Sequence, residues 1–349
     1  MRAVLVKAFG TPPELTRTAD PACPPDGVVV AVEATGLCRS DWHGWVGHDP
    51  EIELPHVPGH ELAGAVVEVG SQVTRWRVGE RVTTPFVLAC GQCRTCARGD
   101  AQICERQLQP GFTQWGSFAD LVALPRADHN LVRVPDEVTA DVAAGLGCRF
   151  ATAYRAVALV ARVEPGEWVA VHGCGGVGLS AVMVAVALGG RVLAVDPDPA
   201  SLTLAAELGA TPVVAGPAVD VAASIADLTE GGADVSLDAF GSSSVLADSI
   251  AALRPGGRHV QVGLLGGADA HPRVDVGRVI GRELRLLGSH GMAASDYPEM
   301  LARIVDGTLD PARLLRDRIG LGEAGARLAA LGDPGGGVGG VTIIRPDLG

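Results

Sequence analysis

The sequence predicts an α/β protein of two domains, one β-rich and one built on a doubly wound parallel sheet. Residues 1–149 read as short β-prone runs separated by proline and glycine, whereas strands alternate with helices from about residue 150. A length of 349 residues allows two hydrophobic cores. We therefore expect residues 1–149 and 289–349 to form the β-rich domain and residues 150–288 to form the other.

The β-rich domain is predicted from short apolar runs that end at turn residues. The runs in the first 149 residues are Val4–Val6, Val28–Val32, Ala65–Val69 and the turn-strand segment Val78–Val82. In the last segment we expect a helix near Tyr297–Val305 and a final strand at Gly340–Ile344. The glycine-rich run 335–340 predicts a turn before that strand.

The second domain is predicted from strands that alternate with helical segments. The strand-like runs are Trp168–Val171, Arg191–Asp196, Thr211–Ala215, Val235–Ala239, Arg258–Val262 and Leu284–Gly288. The helical segments are Ala151–Val160, the apolar run after Val177, Leu202–Leu208, Ala218–Leu228 and Val245–Leu253. This alternation is typical of parallel strands joined by crossover helices.

A glycine-rich loop joins the first of these strands to its helix. It reads Gly173-Cys174-Gly175-Gly176-Val177-Gly178, and its glycines allow a tight turn, close approach of a pyrophosphate and close helix packing. Asp196 ends the next strand, where a carboxylate accepts hydrogen bonds from a ribose diol and repels a 2′-phosphate. The pattern predicts a Rossmann domain that binds NAD in preference to NADP; a glycine turn without a ligand is the alternative.

The composition excludes several classes of partner. The formal net charge is −12, so a nucleic acid or an anionic membrane is not expected as a partner. The apolar run Val177–Leu188 is too short to span a bilayer and begins in the glycine loop, which favours a buried helix. The N-terminal apolar run is too short for a signal peptide. We expect a cytoplasmic protein whose cysteines act as metal ligands.

Four cysteines lie within one short segment of the β-rich domain: Cys90, Cys93, Cys96 and Cys104. Gly91 and Gly99 allow the segment to fold back on itself. Four thiolates fit the closed tetrahedral shell of a structural zinc ion, with Zn–S bonds of about 2.3 Å. A pair of disulfides is the alternative, and the absence of secretory features argues against it.

Three more segments carry thiol, imidazole and carboxylate groups: Gly36–His43, Gly59–Glu61 and Leu146–Cys148. Their spacing alone does not assemble a site. Taken with the four-cysteine segment, the glycine loop and Asp196, in this order, they resemble the zinc-dependent alcohol dehydrogenases of the medium-chain dehydrogenase/reductase family. The resemblance extends over nearly the whole chain and implies a GroES-like catalytic domain beside the Rossmann domain.

The resemblance implies two zinc ions per chain. It assigns Cys38, His60 and Cys148 as ligands of a catalytic zinc, which keeps one coordination position open for an alcohol. Glu61 resembles a carboxylate that lies behind this zinc, and Asp41 resembles one that orients the ligand imidazole. The four-cysteine segment would hold the structural zinc.

Other site residues are also assigned by the resemblance. Ser40 would take the proton of the alcohol and His43 would release it at the surface. The residues assigned to the cofactor are Arg39, at the pyrophosphate, and Thr152, behind the nicotinamide ring. Phe86 resembles a wall of the substrate pocket. Trp45 and Trp115 are expected to line the same pocket, with ordinary packing as the alternative for each.

The sequence departs from the family pattern beside one expected ligand. Arg149 follows Cys148 where liver-type enzymes have glycine, so we expect a bulky charge near the nicotinamide. We expect an NAD-dependent alcohol dehydrogenase acting on a small alcohol or aldehyde, as a homodimer or homotetramer. The alternatives are a polyol, formaldehyde or threonine dehydrogenase of the same family, and an NAD-binding scaffold without activity.

Overall fold

The computed structural model describes residues 1–333 and 339–348, and the chain divides into two compact units. Unit 1 comprises Met1–Ala151, Gly291–Gly307 and Pro311–Gly349, and unit 2 comprises Thr152–His290 and Thr308–Asp310. The junctions therefore lie two residues beyond those expected, and a short segment after residue 307 joins unit 2. Most of the glycine-rich run 335–340 lies outside the described residues.

Fifteen strands are present in the described residues. They are β1 (Arg2–Leu5), β2 (Glu14–Arg17), β3 (Val28–Leu37), β4 (Glu61–Val69), β5 (Arg81–Thr83), β6 (Leu121–Leu124), β7 (Val132–Arg133), β8 (Trp168–His172), β9 (Arg191–Asp196), β10 (Thr211–Val214), β11 (Ala233–Asp238), β12 (Leu253–Gln261), β13 (Arg285–Gly288), β14 (Leu315–Gly320) and β15 (Val341–Arg345).

Twelve α-helices accompany these strands in the same part of the chain. They are α1 (Arg39–Trp45), α2 (Arg94–Ala97), α3 (Ala127–Asn130), α4 (Ala140–Gly145), α5 (Ala151–Tyr154), α6 (Gly176–Ala187), α7 (Pro199–Glu207), α8 (Val221–Thr229), α9 (Ser243–Ala251), α10 (Val276–Gly281), α11 (Tyr297–Val305) and α12 (Leu321–Ala330). None of the helices in 1–333 or 339–348 combines the length and apolar character needed to cross a bilayer.

Unit 1 is organised around a seven-stranded sheet in the order β14-β15-β3-β4-β5-β7, with β6 also pairing with β3. The long strand β3 pairs antiparallel with β4, β6 and β15 and is buried along most of its length. The predicted helix at Tyr297–Val305 is confirmed with the same bounds. The domain is β-rich as expected, and it also contains short helices such as α1 and α4 that the sequence did not predict.

Unit 2 contains a six-stranded parallel sheet in the order β10-β9-β8-β11-β12-β13. The strand order reverses between β8 and β11, and this switch point is where doubly wound sheets bind ligands. The glycine loop follows β8 and leads into α6, which is buried over most of its length. The predicted α/β class with a doubly wound parallel sheet is confirmed.

One helical segment changes its geometry next to an expected metal ligand. The segment Leu146–Phe150, which contains Cys148 and Arg149, is π-helical and directly follows α4. A π-helical turn is wider than an α-helical turn, so the directions of adjacent side chains differ less along it. Such turns are frequent at functional sites.

Candidate active site

Cys38 and Asp41 are fixed together at the start of α1. β3 ends at Leu37, and Cys38 is the residue that precedes the first turn of the helix. The Asp41 carboxylate turns back, and its Oδ2 accepts a hydrogen bond from the Cys38 backbone N–H at 2.9 Å. This capping contact holds the thiol at the end of a central strand.

The same carboxylate holds the Gly59-His60 segment before β4. Asp41 Oδ1 accepts from the backbone N–H of Gly59 at 3.1 Å and lies 2.8 Å from His60 Nδ1. This pairing assigns the proton to Nδ1, which leaves Nε2 as the ring atom free to bind a metal ion. His60 Nε2 is buried and has no hydrogen-bond partner, so this orphaned atom fits a metal ligand.

Cys148 completes the cluster from the π-helical segment. One ligand atom from each of Cys38, His60, Glu61 and Cys148 lies within 4.8 Å of all the others. Two sulfurs, one imidazole nitrogen and a nearby carboxylate form a donor set that suits zinc. These residues fit the metal ion that the sequence predicts, and all of them belong to unit 1.

The pKa values of the two buried thiols move in opposite directions. The hydrogen bond from Cys148, helped by the charges of Arg149 and His60, holds the pKa of Cys38 well below its ordinary value. The same hydrogen bond and burial raise the pKa of Cys148 well above its ordinary value. Burial opposes protonation of His60, yet the carboxylate of Asp41 raises its pKa. A bound cation would displace these protons.

Arg149 lies against Glu61, a partner that the sequence did not predict. Its backbone N–H and Nε both donate to Glu61 Oε1 at 3.0 Å, and Nη2 donates to Oε2 at 2.5 Å. Both residues are buried. Burial disfavours both charges and raises the pKa of Glu61, whereas the Glu61 carboxylate raises the pKa of Arg149 despite its burial.

Ser40 and His43 extend outward from the cluster along α1. Ser40 Oγ lies 3.8 Å from Cys38 Sγ. His43 reaches the surface, and its Nδ1 lies 3.0 Å from Nδ1 of His48, a neighbour that the sequence did not predict. Burial, followed by the charges of His48 and Arg39, lowers the pKa of His43. A neutral imidazole at this position can accept a proton near neutral pH.

Of the three aromatic residues expected at the substrate pocket, Phe86 contacts the His60 ring, whereas Trp45 and Trp115 have other partners. Phe86 meets the His60 ring edge-on, with 6.3 Å between ring centroids. Phe112, which the sequence did not single out, is closer to the His60 ring at 5.3 Å. Trp45 packs in the unit 1 core and donates its indole N–H to Thr11 O, while the exposed Trp115 donates to Pro55 O.

The four-cysteine segment forms a second cluster in unit 1. The Sγ atoms of Cys93 and Cys96 are 3.4 Å apart, and Cys93–Cys104 and Cys90–Cys96 are 3.8 and 4.0 Å apart. A ZnS₄ tetrahedron with bonds of about 2.3 Å has sulfur–sulfur edges of about 3.8 Å. Hydrogen bonding from the Gln92 backbone lowers the pKa of Cys90 to about 5. All eight cysteines, which lie in the described residues, are free thiols.

The glycine loop of unit 2 has the backbone that its sequence predicted. Gly173 has φ +88°, and a Cβ on Gly178 would overlap the Gly173 carbonyl oxygen. A Cβ on Gly175 would meet no atom within 4 Å, so its backbone is open to a ligand. Gly176 and Val177 begin α6, whose N-terminal N–H groups favour phosphate binding.

Asp196 supports this loop at the end of β9. Its Oδ2 accepts from the Cys174 backbone N–H at 2.6 Å and its Oδ1 from the Asp198 N–H at 2.8 Å. Each carboxylate oxygen retains a second acceptor position for a ribose hydroxyl. Thr152 is also in unit 2 and is buried with Oγ1 unpartnered. Arg39, in unit 1, donates to Leu331 O and lies over the Trp42 ring.

Two family models match the chain. A model described as "Zinc-binding dehydrogenase" matches residues 176–306, and one described as "Alcohol dehydrogenase GroES-like domain" matches residues 24–136. An alcohol dehydrogenase of Geobacillus stearothermophilus is 37% identical over 266 residues, which cover 76% of this chain and 78% of that protein. An L-threonine 3-dehydrogenase of Chelativorans sp. (strain BNC1) is 34% identical over 346 residues, covering 95% and 96%.

The fold is also similar to solved structures of dehydrogenases. The alcohol dehydrogenase from Thermus sp. ATN1 superposes with a TM-score of 0.90 at 28% sequence identity, and the match covers 99% of both chains. The similarity therefore extends over both units.

Proposed function

Because this chain belongs to the zinc-dependent, medium-chain alcohol dehydrogenase family, we propose that it transfers hydride reversibly between an alcohol and NAD. The observation that carries this proposal is the convergence of Cys38, His60 and Cys148, with His60 Nε2 buried and unpartnered. We propose these three side chains as the ligands of a catalytic zinc. The Cys90, Cys93, Cys96 and Cys104 cluster is proposed to hold a structural zinc.

The residues around the three ligands prepare the site for this chemistry. Zinc, when bound, acidifies an alcohol hydroxyl, and NAD, when bound, supplies the hydride acceptor. Asp41 fixes the His60 ring with Nδ1 protonated and presents Nε2 to the site. Phe86 and Phe112 place apolar surface against the same ring, which favours an apolar substrate and excludes water.

The proton of the alcohol is proposed to leave along α1. Ser40 lies beside Cys38 and is half-buried, so its hydroxyl can accept the proton and donate its own onward. His43 is the exposed acceptor, and the lowered pKa of this imidazole keeps it neutral and able to take a proton. In carbonyl reduction the same groups act in the reverse direction.

NAD is proposed as the cofactor on electrostatic grounds. The carboxylate of Asp196 stands at the end of β9, and Asp198 adds a second negative charge two residues later. A ribose diol can donate hydrogen bonds to Asp196, whereas a 2′-phosphate would be repelled. We further propose that Gly173, Gly175, Gly176, Val177 and Gly178 hold the pyrophosphate, with Arg39 and Thr152 as further cofactor contacts.

L-Threonine 3-dehydrogenase activity is the second candidate. It is favoured by the relative from Chelativorans sp., which is named an L-threonine 3-dehydrogenase and matches 95% of this chain at 34% identity. The reaction class is the same, and only the substrate differs. The aromatic surface at His60 favours an uncharged alcohol, so L-threonine ranks second.

Absorbance of NADH during incubation with a panel of alcohols, polyols and L-threonine tests the proposal. We expect turnover with NAD and an apolar alcohol, and two zinc ions per chain. Cys38→Ala should remove turnover and one of the two zinc ions. A wild-type protein that binds NADH but reduces no NAD with any alcohol, or a Cys38→Ala variant that keeps both activity and zinc, would overturn it.

Assembly and location are the finer parts of the proposal. The edge strand β13 and the adjoining α10 expose Val276, Ile280 and Leu286, and an edge strand with exposed apolar side chains can pair with a second copy. We propose a homo-oligomer built on this edge. The eight free thiols favour a reducing compartment, so we propose that the protein acts in the cytoplasm.

A further inference from the structure

The ion pair between Glu61 and Arg149 lies beside the proposed metal site, and the proposed reaction does not use it. Three donors of Arg149 contact Glu61: the backbone N–H and Nε meet Oε1, and Nη2 meets Oε2. The side chain of Arg149 is 9% exposed and that of Glu61 is 0% exposed, so water does not compete for these contacts. One residue therefore engages both oxygens of the carboxylate.

Glu61 is within reach of the same metal position as the three proposed ligands. A carboxylate oxygen lies within 4.8 Å of the ligand atoms of Cys38, His60 and Cys148. Carboxylates bind zinc at about 2.0–2.2 Å, and four protein ligands close a zinc site. A fourth ligand here would leave no position for an alcohol, so the site needs a feature that keeps the Glu61 carboxylate away from the metal.

Arg149 supplies the positive charge that compensates the buried carboxylate of Glu61. The thiolates of Cys38 and Cys148 and the carboxylate of Glu61 carry three negative charges, which a divalent cation and one guanidinium neutralise. Without the guanidinium, the buried carboxylate would be uncompensated, a state that is strongly unfavourable. The remaining cation within reach would be the metal ion, and binding it would relieve the carboxylate.

The backbone around the pair leaves room for this arrangement. Arg149 follows Cys148 in the π-helical segment, so the proposed ligand and the guanidinium come from adjacent residues. Gly36 of β3 lies on the other side, where a Cβ would overlap Glu61 Oε2 and lie 3.1 Å from Arg149 Nη2. The pair therefore occupies space that only a glycine at this position of β3 leaves free.

We propose that Arg149 is a positioning residue that keeps the fourth coordination position of the catalytic metal open by holding both oxygens of Glu61. The proposal rests on the metal site proposed above. It predicts that loss of the guanidinium converts an open three-ligand site into a closed four-ligand site. Such a site would hold its metal ion but would not admit an external ligand.

The test uses the full-length protein with Co²⁺ in place of zinc, because the visible spectrum of Co²⁺ reports its ligands. Imidazole is titrated as the external ligand. We expect the wild-type spectrum to change as imidazole enters the open position. In Arg149→Met only the backbone N–H of residue 149 still holds Glu61, at Oε1. The released Oε2 should then fill the open position, which raises the imidazole concentration for half-saturation by at least about tenfold. Equal imidazole binding by the two proteins would overturn the proposal.

Two further variants give the test its specificity. The double variant Glu61→Gln/Arg149→Met should bind imidazole as well as Glu61→Gln does, because no carboxylate remains to be held. This comparison can still overturn the proposal if Arg149→Met alone does not fold. If the double variant has lost imidazole binding and Glu61→Gln has kept it, Arg149 acts in some other way and the proposal fails.

Controls separate this inference from the proposed function. Arg258→Met removes a bidentate arginine–glutamate pair with Glu167 in unit 2 and should leave imidazole binding unchanged. Cys38→Ala should bind one Co²⁺ ion fewer than wild type and give no imidazole response. If wild type and Cys38→Ala bind equal amounts of Co²⁺, the proposed metal site is wrong, and the proposed role of Arg149 is wrong as well. If only the role of Arg149 is wrong, Cys38→Ala will still bind one Co²⁺ ion fewer than wild type.

Discussion

Asp41 and His60 form a buried hydrogen bond, with 2.8 Å between Oδ1 of the carboxylate and Nδ1 of the ring. The other oxygen of the same carboxylate holds the backbone N–H of Cys38. A single side chain therefore aligns two of the three proposed ligands, one after β3 and one before β4. We therefore expect metal binding at these ligands to depend on Asp41, a residue that is not itself proposed as a ligand.

Asp41→Asn should lower the affinity of the proposed catalytic site for zinc by about 10- to 100-fold. An amide cannot accept hydrogen bonds from all three N–H groups that the Asp41 carboxylate satisfies. The measurement is competition for zinc with a chromogenic chelator. One zinc per chain should become labile while the other stays bound. Asp136→Asn, at an exposed position in unit 1, is the matched control. Equal zinc retention by both variants would contradict the orienting role.

The rate of alcohol oxidation should rise with pH as His43 loses its proton. Burial and then the charges of His48 and Arg39 lower the pKa of His43, so the ring is neutral at a lower pH than an ordinary histidine, whose pKa is about 6.5. The rise should therefore occur at a lower pH than an ordinary histidine would give. His43→Gln should remove this dependence and slow oxidation roughly tenfold at neutral pH.

A pH profile of kcat for the wild type and His43→Gln is the measurement. His271→Gln, at an exposed site in unit 2, serves as the control and should keep the wild-type profile. If His43→Gln shows the same profile as the wild type, the proton leaves by another route.

Cys96→Ser should remove the second zinc and destabilise the protein more than it alters the chemistry. Metal binding at a four-thiolate site contributes on the order of 10 kcal/mol to local folding. We expect Tm to fall by more than about 5 °C, with KM for the alcohol little changed. Cys23→Ser is the control, since Cys23 is half-buried and outside both clusters. Thermal scans in which the two variants match would show that the cluster has no structural role.

Asp196→Asn should reduce the preference for NAD over NADP by about tenfold. Asparagine keeps an acceptor for the backbone N–H of Cys174 but removes the charge that repels a 2′-phosphate. The measurement is the ratio of kcat/KM for the two cofactors. Asp227→Asn, at an exposed position in the same unit, is the control. An unchanged ratio in Asp196→Asn would place cofactor discrimination elsewhere.

The fold of unit 2 could be predicted from the sequence because its signals are local. The Gly173–Gly178 run follows one strand and precedes one helix, and both elements are present. The four-cysteine cluster could be predicted equally well from the sequence, because all its thiols come from one short segment. Short helices in unit 1 escaped prediction, because α1 and α4 have fewer residues than a periodic pattern needs.

The catalytic cluster could be predicted only through family resemblance. Cys38, His60 and Cys148 come from the end of one strand, the approach to another and a π-helical segment, and no spacing rule connects these positions. The partner of Arg149 was not predictable for the same reason, since Glu61 precedes it by 88 residues. Phe112 and His48 carry no sequence signal beyond their residue types, and only the packing reveals them.

The thiols and imidazole of both proposed zinc sites come from unit 1, and the glycine loop with Asp196 comes from unit 2. Recombination that exchanged the segment encoding unit 2 would therefore leave the codons of all the proposed zinc ligands unchanged. Evolution could therefore change the preference for NAD or NADP through unit 2, which comes mainly from the middle of the gene, while the flanking segments of unit 1 keep the residues proposed to bind zinc.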